Sequence, residues 1–159
     1  MDMKTKNRKP YWAFIALAEG VGILSGLLSR SGMEAFSQTA QPPLSPSGWI
    51  FPVVWTILYA LMGYGAARVY LASPGGDRST GLNLFAVQLI VNFFWSLIFF
   101  NARAYGFALL WLLLLLGLVA AMTVYFWKVD KRAALTQIPY ILWLIFAAYL
   151  NVGVWYLNR

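Results

Sequence analysis

Hydropathy divides the chain into five long apolar runs separated by short polar breaks. The runs cover residues 11–29, 48–70, 82–100, 105–127 and 133–157. Each approaches the roughly 20 residues that an α-helix needs to cross about 30 Å of hydrocarbon. The breaks are SRSGMEAFSQTAQPPLSPS, which is the longest, then ASPGGDRSTG, NARA and KVDKR. A connection as short as NARA predicts that the third and fourth runs are antiparallel neighbours. The pattern as a whole predicts an all-α integral membrane protein, with residues 1–159 forming a single domain. That domain is a bundle of five transmembrane helices, and its first connection, residues 30–47, forms a lid. MKTKNRK ahead of the first run resembles the positive region of a signal peptide. Glu19 inside the run, and the lack of a small-residue cleavage site after it, predict a retained helix instead.

Composition agrees with this class. Hydrophobic residues make up 61% of the chain and charged residues 11%, against about 25% charged in a soluble domain. The net charge of +7 is unevenly placed. Lys4, Lys6, Arg8, Lys9, Arg78, Lys128, Lys131 and Arg132 fall on the amino-terminal side, with Arg68 close to it, whereas Arg30, Arg103 and Arg159 fall on the other. The positive-inside rule then predicts a cytoplasmic amino terminus and an extracytoplasmic first loop, in a plasma membrane. Basic residues clustered between spans suit anionic lipid headgroups, and no motif supports a nucleic-acid partner. Cysteine and histidine are both absent, which excludes disulfides, zinc sites, thiol chemistry and His-ligated haem. The acidic residues are Asp2, Glu19, Glu34, Asp77 and Asp130, too few and too scattered for a carboxylate or di-metal centre. No catalytic residue, metal site or cofactor is therefore assigned.

Polar and aromatic positions recur on single faces within the spans. In the third, Gln88, Asn92, Trp95 and Phe99 fall within a sector of about 60°. Amides in hydrocarbon need partners, so this face points into the bundle. It serves either as interhelical glue or as the lining of a ligand pocket. Tyr140, Trp143, Ala147 and Asn151 share a face of the fifth span, with Leu150 and Val154 at its edge. Pro52, Trp55, Tyr59 and Gly63 align in the second. By depth, Trp55, Trp95 and Trp143 converge beneath the proline-bearing loop, whereas Trp12, Trp49, Trp127 and Trp155 sit at span ends, where an interfacial belt explains them. Trp111 is not assigned. Glu19 shares a face with Gly22 and Gly26, and is either a hydrogen-bonded contact between helices or a proton- or cation-linked site. The fourth span, with FALLWLLLLLGLVAAM, is apolar on every side and is expected to face lipid.

Three blocks, PPLSPSGWIFPVVWTILYALMGYG, QLIVNFFWSLIFFNAR and PYILWLIFAAYLNVGVW, resemble the signature blocks of the translocator protein family. Its members are also called tryptophan-rich sensory proteins or peripheral benzodiazepine receptors. The resemblance runs from the proline-rich loop to the carboxyl terminus. It implies a five-helix bundle, often a homodimer, that binds porphyrins such as protoporphyrin IX, synthetic flat hydrophobic ligands and, in animals, cholesterol. The pocket it implies lies between the first, second, third and fifth spans under the first loop. Carried over by motif, the lining residues are Pro46, Trp55, Tyr59, Asn92, Trp95, Trp143, Ala147 and Leu150. The stripes add Gln88, Phe99 and Asn151. Some bacterial relatives degrade porphyrin in light, so a side activity of that kind is implied as an alternative.

The chain departs from the family pattern in its loop. Met33 and Glu34 stand where a Trp-Tyr pair is usual, and Leu44 where a tryptophan lies between the prolines. Val152 and Tyr156 replace the tyrosine and arginine of the animal cholesterol motif, although Val154, Tyr156 and Arg159 satisfy its looser form one turn later. A sterol partner is thus only partly supported. Prolines stiffen the lid, Gly48 is expected to make its sharp turn, and Arg30 or Arg103 at the rim is placed to meet a propionate. LAEGVG around Glu19 also resembles the carboxylate helix of small multidrug transporters, which leaves proton-coupled export as a rival reading.

Overall fold

A computed structural model describes residues 7–159; Asp2, Lys4 and Lys6, which entered the sequence argument, lie outside the described residues. Seven α-helices follow in order: α1 Lys9–Leu28, α2 Arg30–Phe36, α3 Ile50–Tyr70, α4 Gly76–Ser96, α5 Tyr105–Val129, α6 Lys131–Leu135 and α7 Ile138–Leu157. A π-helical turn, Leu97–Asn101, extends α4, and no strand occurs among the described residues. Five helical stretches are long and apolar enough to cross a membrane: α1, α3, α4 with its π turn, α5, and α6 with α7. The chain is an all-α membrane protein.

Local chemistry fixes the helix ends. Pro10 and Pro139 lie in the first turns of α1 and α7, where a missing N–H costs nothing. Asp130 caps α6, its Oδ1 accepting from the backbone N–H of Arg132 at 2.8 Å and of Ala133 at 3.2 Å. Its Oδ2 accepts from Arg68 Nη2 at 2.7 Å, which ties α3 to the α5–α6 corner. The NARA hairpin brings α5 back against α4, aided by Arg103 in the left-handed region at φ 51°.

The core runs along the bundle axis through Met62, Phe85, Leu112, Leu115, Val119, Met122, Phe126 and Leu144, all buried. Five of these eight come from α5, which packs on α4 and α7. The expectation that the fourth span is largely lipid-facing needs correction. One face carries that buried row, while Phe107, Leu110, Leu113 and Val124 on the other are exposed. A helix apolar all round gives no sequence signal for which face is inside, because lipid and protein interior are equally apolar.

The two glycines that share the face of Glu19 differ in their surroundings. Gly22 lets α1 lie across the Tyr59 ring, where a Cβ would collide, but a Cβ at Gly26 would meet nothing within 4 Å. Backbone meets backbone instead at Gly63 of α3, where a Cβ would run into Phe14 and Ile15 of α1.

Candidate functional site: a divided chamber beneath the first loop

The first connection is built, not slack. Its first part is α2, whose Arg30 and Glu34 pair at 3.3 Å one turn apart. Gly32 lets α2 touch the π turn at Phe100 and Asn101, and Asn101 Nδ2 donates to the Leu28 carbonyl at 2.9 Å. The proline segment then crosses to α7. Asn158 grips Ala40 from both sides, accepting from its N–H at 3.2 Å and donating to its carbonyl at 2.8 Å. Tyr149 donates to the Pro43 carbonyl at 2.7 Å, and Pro42 rests on Gly153. The loop's left-handed residue is Leu44, at φ 68° and 82% exposed, whereas no glycine has positive φ. A turn does form at Gly48 and Trp49, closed by the Ile50 N–H donating to the Ser47 carbonyl at 2.9 Å, but the left-handed residue of the loop is Leu44.

Beneath this cover lies a cavity of about 760 Å³. Pro46 and Gly48 roof it, α2 contributes Arg30, Met33 and Phe36, and α1 contributes Gly22, Ile23 and Gly26. Trp55, Thr56, Tyr59, Asn92 and Ser96 form the opposite wall, and Glu19, halfway along α1, lies at the floor. A smaller recess of about 50 Å³ adjoins it, lined by Trp95, Phe99, Trp143, Ala147, Leu150 and Asn151. Phe36, Gln41, Phe51, Trp55 and Phe100 line both spaces and so form the partition between them.

The recess is aromatic and tight. Trp95 stacks on Phe99 with centroids 4.9 Å apart and planes at 22°, and Phe51 meets Trp143 edge-on at 5.9 Å. Three buried polar atoms there have no hydrogen-bond partner: Trp95 Nε1, Trp143 Nε1 and Asn151 Oδ1. Each such group costs about 1–3 kcal/mol relative to a paired one. Asn151 spends its amide N–H₂ on the Tyr105 carbonyl at 2.8 Å, joining α7 to α5.

Below the floor runs a buried hydrogen-bond chain. The Tyr59 hydroxyl donates to Asn92 Oδ1 at 3.1 Å, Asn92 Nδ2 donates to the Tyr140 oxygen at 2.6 Å, and the Tyr140 hydroxyl donates to Gln88 Oε1 at 2.8 Å. Gln88 Nε2 lies 3.5 Å from Met62 Sδ. The chain joins α3, α4 and α7, so both amides of the third-span stripe act as interhelical glue. Asn92 also lines the large cavity, whereas Gln88 lines neither space. Trp111 is structural, donating to the Val91 carbonyl at 2.7 Å.

The sequence-derived residues thus fall into three groups. Pro46, Trp55, Tyr59 and Asn92 line the large cavity. Trp95, Phe99, Trp143, Ala147, Leu150 and Asn151 line the recess behind the partition, together with Trp55. Gln88 lies below both. Of the two rim arginines, Arg30 lines the cavity and Arg103 does not. Sequence reasoning missed α2 and the partition residues Phe36, Phe51 and Phe100. The Arg30–Glu34 spacing within RSGMEAF was the signal available for α2. Val154 is buried against the recess, whereas Tyr156 is exposed with Arg159 over its ring at 4.5 Å, so the looser sterol pattern presents no common surface.

Comparison with known proteins places these features in a lineage. Residues 14–157 match the profile of the TspO/MBR family. The chain is 40% identical over 124 residues to protein CrtK of Rhodobacter capsulatus, covering 77% of this chain and 78% of that one. It is 36% identical over 143 residues to the human translocator protein, covering 87% and 85%. It is 35% identical over 129 residues to the tryptophan-rich protein TspO of Chlorobaculum tepidum, covering 77% and 78%.

Proposed function

Because the chain belongs to the TspO/MBR family, we propose that it is a membrane receptor whose divided chamber binds protoporphyrin IX-like tetrapyrroles and other flat hydrophobic molecules. The single observation that carries this reading is the chamber itself: a cavity of about 760 Å³ walled by aromatic side chains beneath a tethered loop. That volume lies within the range of roughly 300–1,000 Å³ typical of small-molecule sites. Trp55 and Tyr59, with centroids 5.5 Å apart, supply a stacking wall, and Asn92 offers a polar group at depth. Arg30 at the rim meets a propionate. The unpartnered indole N–H groups of Trp95 and Trp143 and the free oxygen of Asn151 suit polar atoms of a ligand that displaces the partition into the recess. The receptor sits with its amino terminus in the cytoplasm, in keeping with the clustering of basic residues.

Titration of the purified protein with protoporphyrin IX, followed by tryptophan quenching, tests the reading. Saturable binding is expected, weakened at least tenfold by Gly26→Leu, which fills open space in the cavity, and by Trp55→Ala, which removes its wall. Non-saturable quenching, or wild-type affinity in both variants, rejects the chamber as the site.

A further inference from the structure

The chamber opens sideways, toward where lipid would lie. α1 and α3 are pressed together at Gly63 and Ile15, with the rings of Tyr11 and Tyr64 5.4 Å apart, and they part toward the first loop, where a Cβ at Gly26 would touch nothing. Ile23 on α1, with Pro52 and Thr56 on α3, lines the chamber and is also exposed. The mouth therefore lies in the cleft between these two helices. Flanking residues Leu27, Val53 and Ile57 are exposed and apolar, as lipid-facing positions are.

Glu19 stands at the apex of that cleft. It is the one carboxylate near the middle of a membrane-crossing helix, and it lines the chamber. Among the described residues it makes no hydrogen bond or ion pair: the carboxylates that do pair with cations are Glu34, Asp77 and Asp130. The Tyr59 hydroxyl, which lines the same chamber, gives its proton to Asn92. A role as glue between helices would require a donor on α3 or α4, and none reaches it. A carboxyl group at mid-membrane depth is costly, and such groups sit on binding or ion pathways.

We propose that Glu19 is a specificity-determining residue of the chamber, selecting flat apolar molecules that carry a protonated amine and enter from the bilayer through the α1–α3 cleft. The proposal rests on reading the chamber as a ligand site and adds the chemistry it prefers among the flat hydrophobic molecules other than tetrapyrroles. Charge-assisted hydrogen bonds between an ammonium and a carboxylate are about twice as strong as neutral ones. They gain further where water is scarce. The aromatic wall takes the flat body, and Glu19 takes the cationic end.

Two probes separate these contributions. One is pyrene with a dimethylaminoethyl arm, protonated at neutral pH; the other is its carbon isostere with a 3-methylbutyl arm. Binding to the full chain in zwitterionic lipid nanodiscs is read as saturable energy transfer from tryptophan to pyrene, corrected with empty nanodiscs. Wild type is expected to bind the amine about tenfold more tightly than the isostere, and Glu19→Gln to reduce that preference to within about twofold. Equal binding of both probes to wild type overturns the role of Glu19, as does a preference that survives Glu19→Gln; in either case the chamber reading stands. Failure of both probes to saturate, or indifference of both to Gly26→Leu, overturns the chamber reading and this inference with it.

Discussion

At the scale of single residues, the buried hydroxyl of Tyr140 is the most committed group in the bundle. It accepts from Asn92 and donates to Gln88, and all three residues are almost fully buried. Tyr140→Phe keeps the ring and strands both amides. We expect a loss of about 1–3 kcal/mol in stability, read as a lowered thermal midpoint in detergent, with no enlargement of the cavity. An unchanged midpoint would mean the amides re-pair elsewhere. Leu44 illustrates the opposite situation, a side chain in an unfavourable backbone state that touches little. A leucine in the left-handed region costs roughly 1–2 kcal/mol, and asparagine tolerates that region far better. Leu44→Asn should raise the midpoint by about 2–4 °C; a fall would show that the exposed leucine is held by contacts the fold does not otherwise require.

At the scale of elements, the contacts of α1 with α3 are decided by which glycine lies at the crossing. Gly63→Leu pushes a side chain into the α1 backbone and should destabilise by about 1–3 kcal/mol. Gly26→Leu, further along the same helix pair, points into open space and should leave the melting midpoint near wild type while abolishing probe binding. Equal destabilisation by both would contradict the divergence of the two helices. The α3–α6 corner makes a pH-dependent prediction. Burial pushes the Asp130 carboxyl up, but the Arg68 guanidinium and the N–H groups of Ala133 and Arg132 outweigh it and hold the group below the usual range. A depressed folded-state value contributes stability that is complete above the unfolded value of about 3.9 and is lost as pH falls through the folded one. Wild type should therefore lose thermal stability as pH falls below the unfolded value of about 3.9. Asp130→Asn, less stable at pH 7, should show a flatter profile; parallel profiles would remove Asp130 as the acid-sensitive group.

For the whole molecule, the proposed orientation rests on the placement of basic residues and is open to direct measurement because the chain contains no cysteine. A single cysteine at Leu44 should react with a membrane-impermeant maleimide in intact cells, and one at Lys131 only after permeabilisation. The reverse pattern would invert the proposed topology. The proposed lateral entry accords with how the loop is held: it is tied to α7 by Asn158 and Tyr149, whereas no hydrogen bond joins α1 to α3 among the described residues. The bundle is thus fastened on one side and open on the other, which favours access from lipid over access through the lid.

Five apolar runs of spanning length, the helix-breaking NARA and KVDKR, and the stripe through Asn92 and Trp95 were legible in the sequence, because hydrocarbon leaves a helix no other way to satisfy its backbone and makes every amide conspicuous. The same uniformity hid the rest. Nothing in its composition told the inner row of α5 from the outer, since apolar side chains gain as little from lipid as from protein. That Gln88 is glue while Asn92 is also lining depended on about one turn of depth along α4, a matter of how three helices cross. The partition formed by Phe36, Phe51 and Phe100 combines residues from three separate elements, and Glu19 faces a chamber only because α1 and α3 diverge beyond Gly63. The sequence by itself determined that the chain spans a membrane five times and which residue types turn inward. Helix crossing angles, set by close contact at one glycine and open space at another, decided where those residues enclose a void.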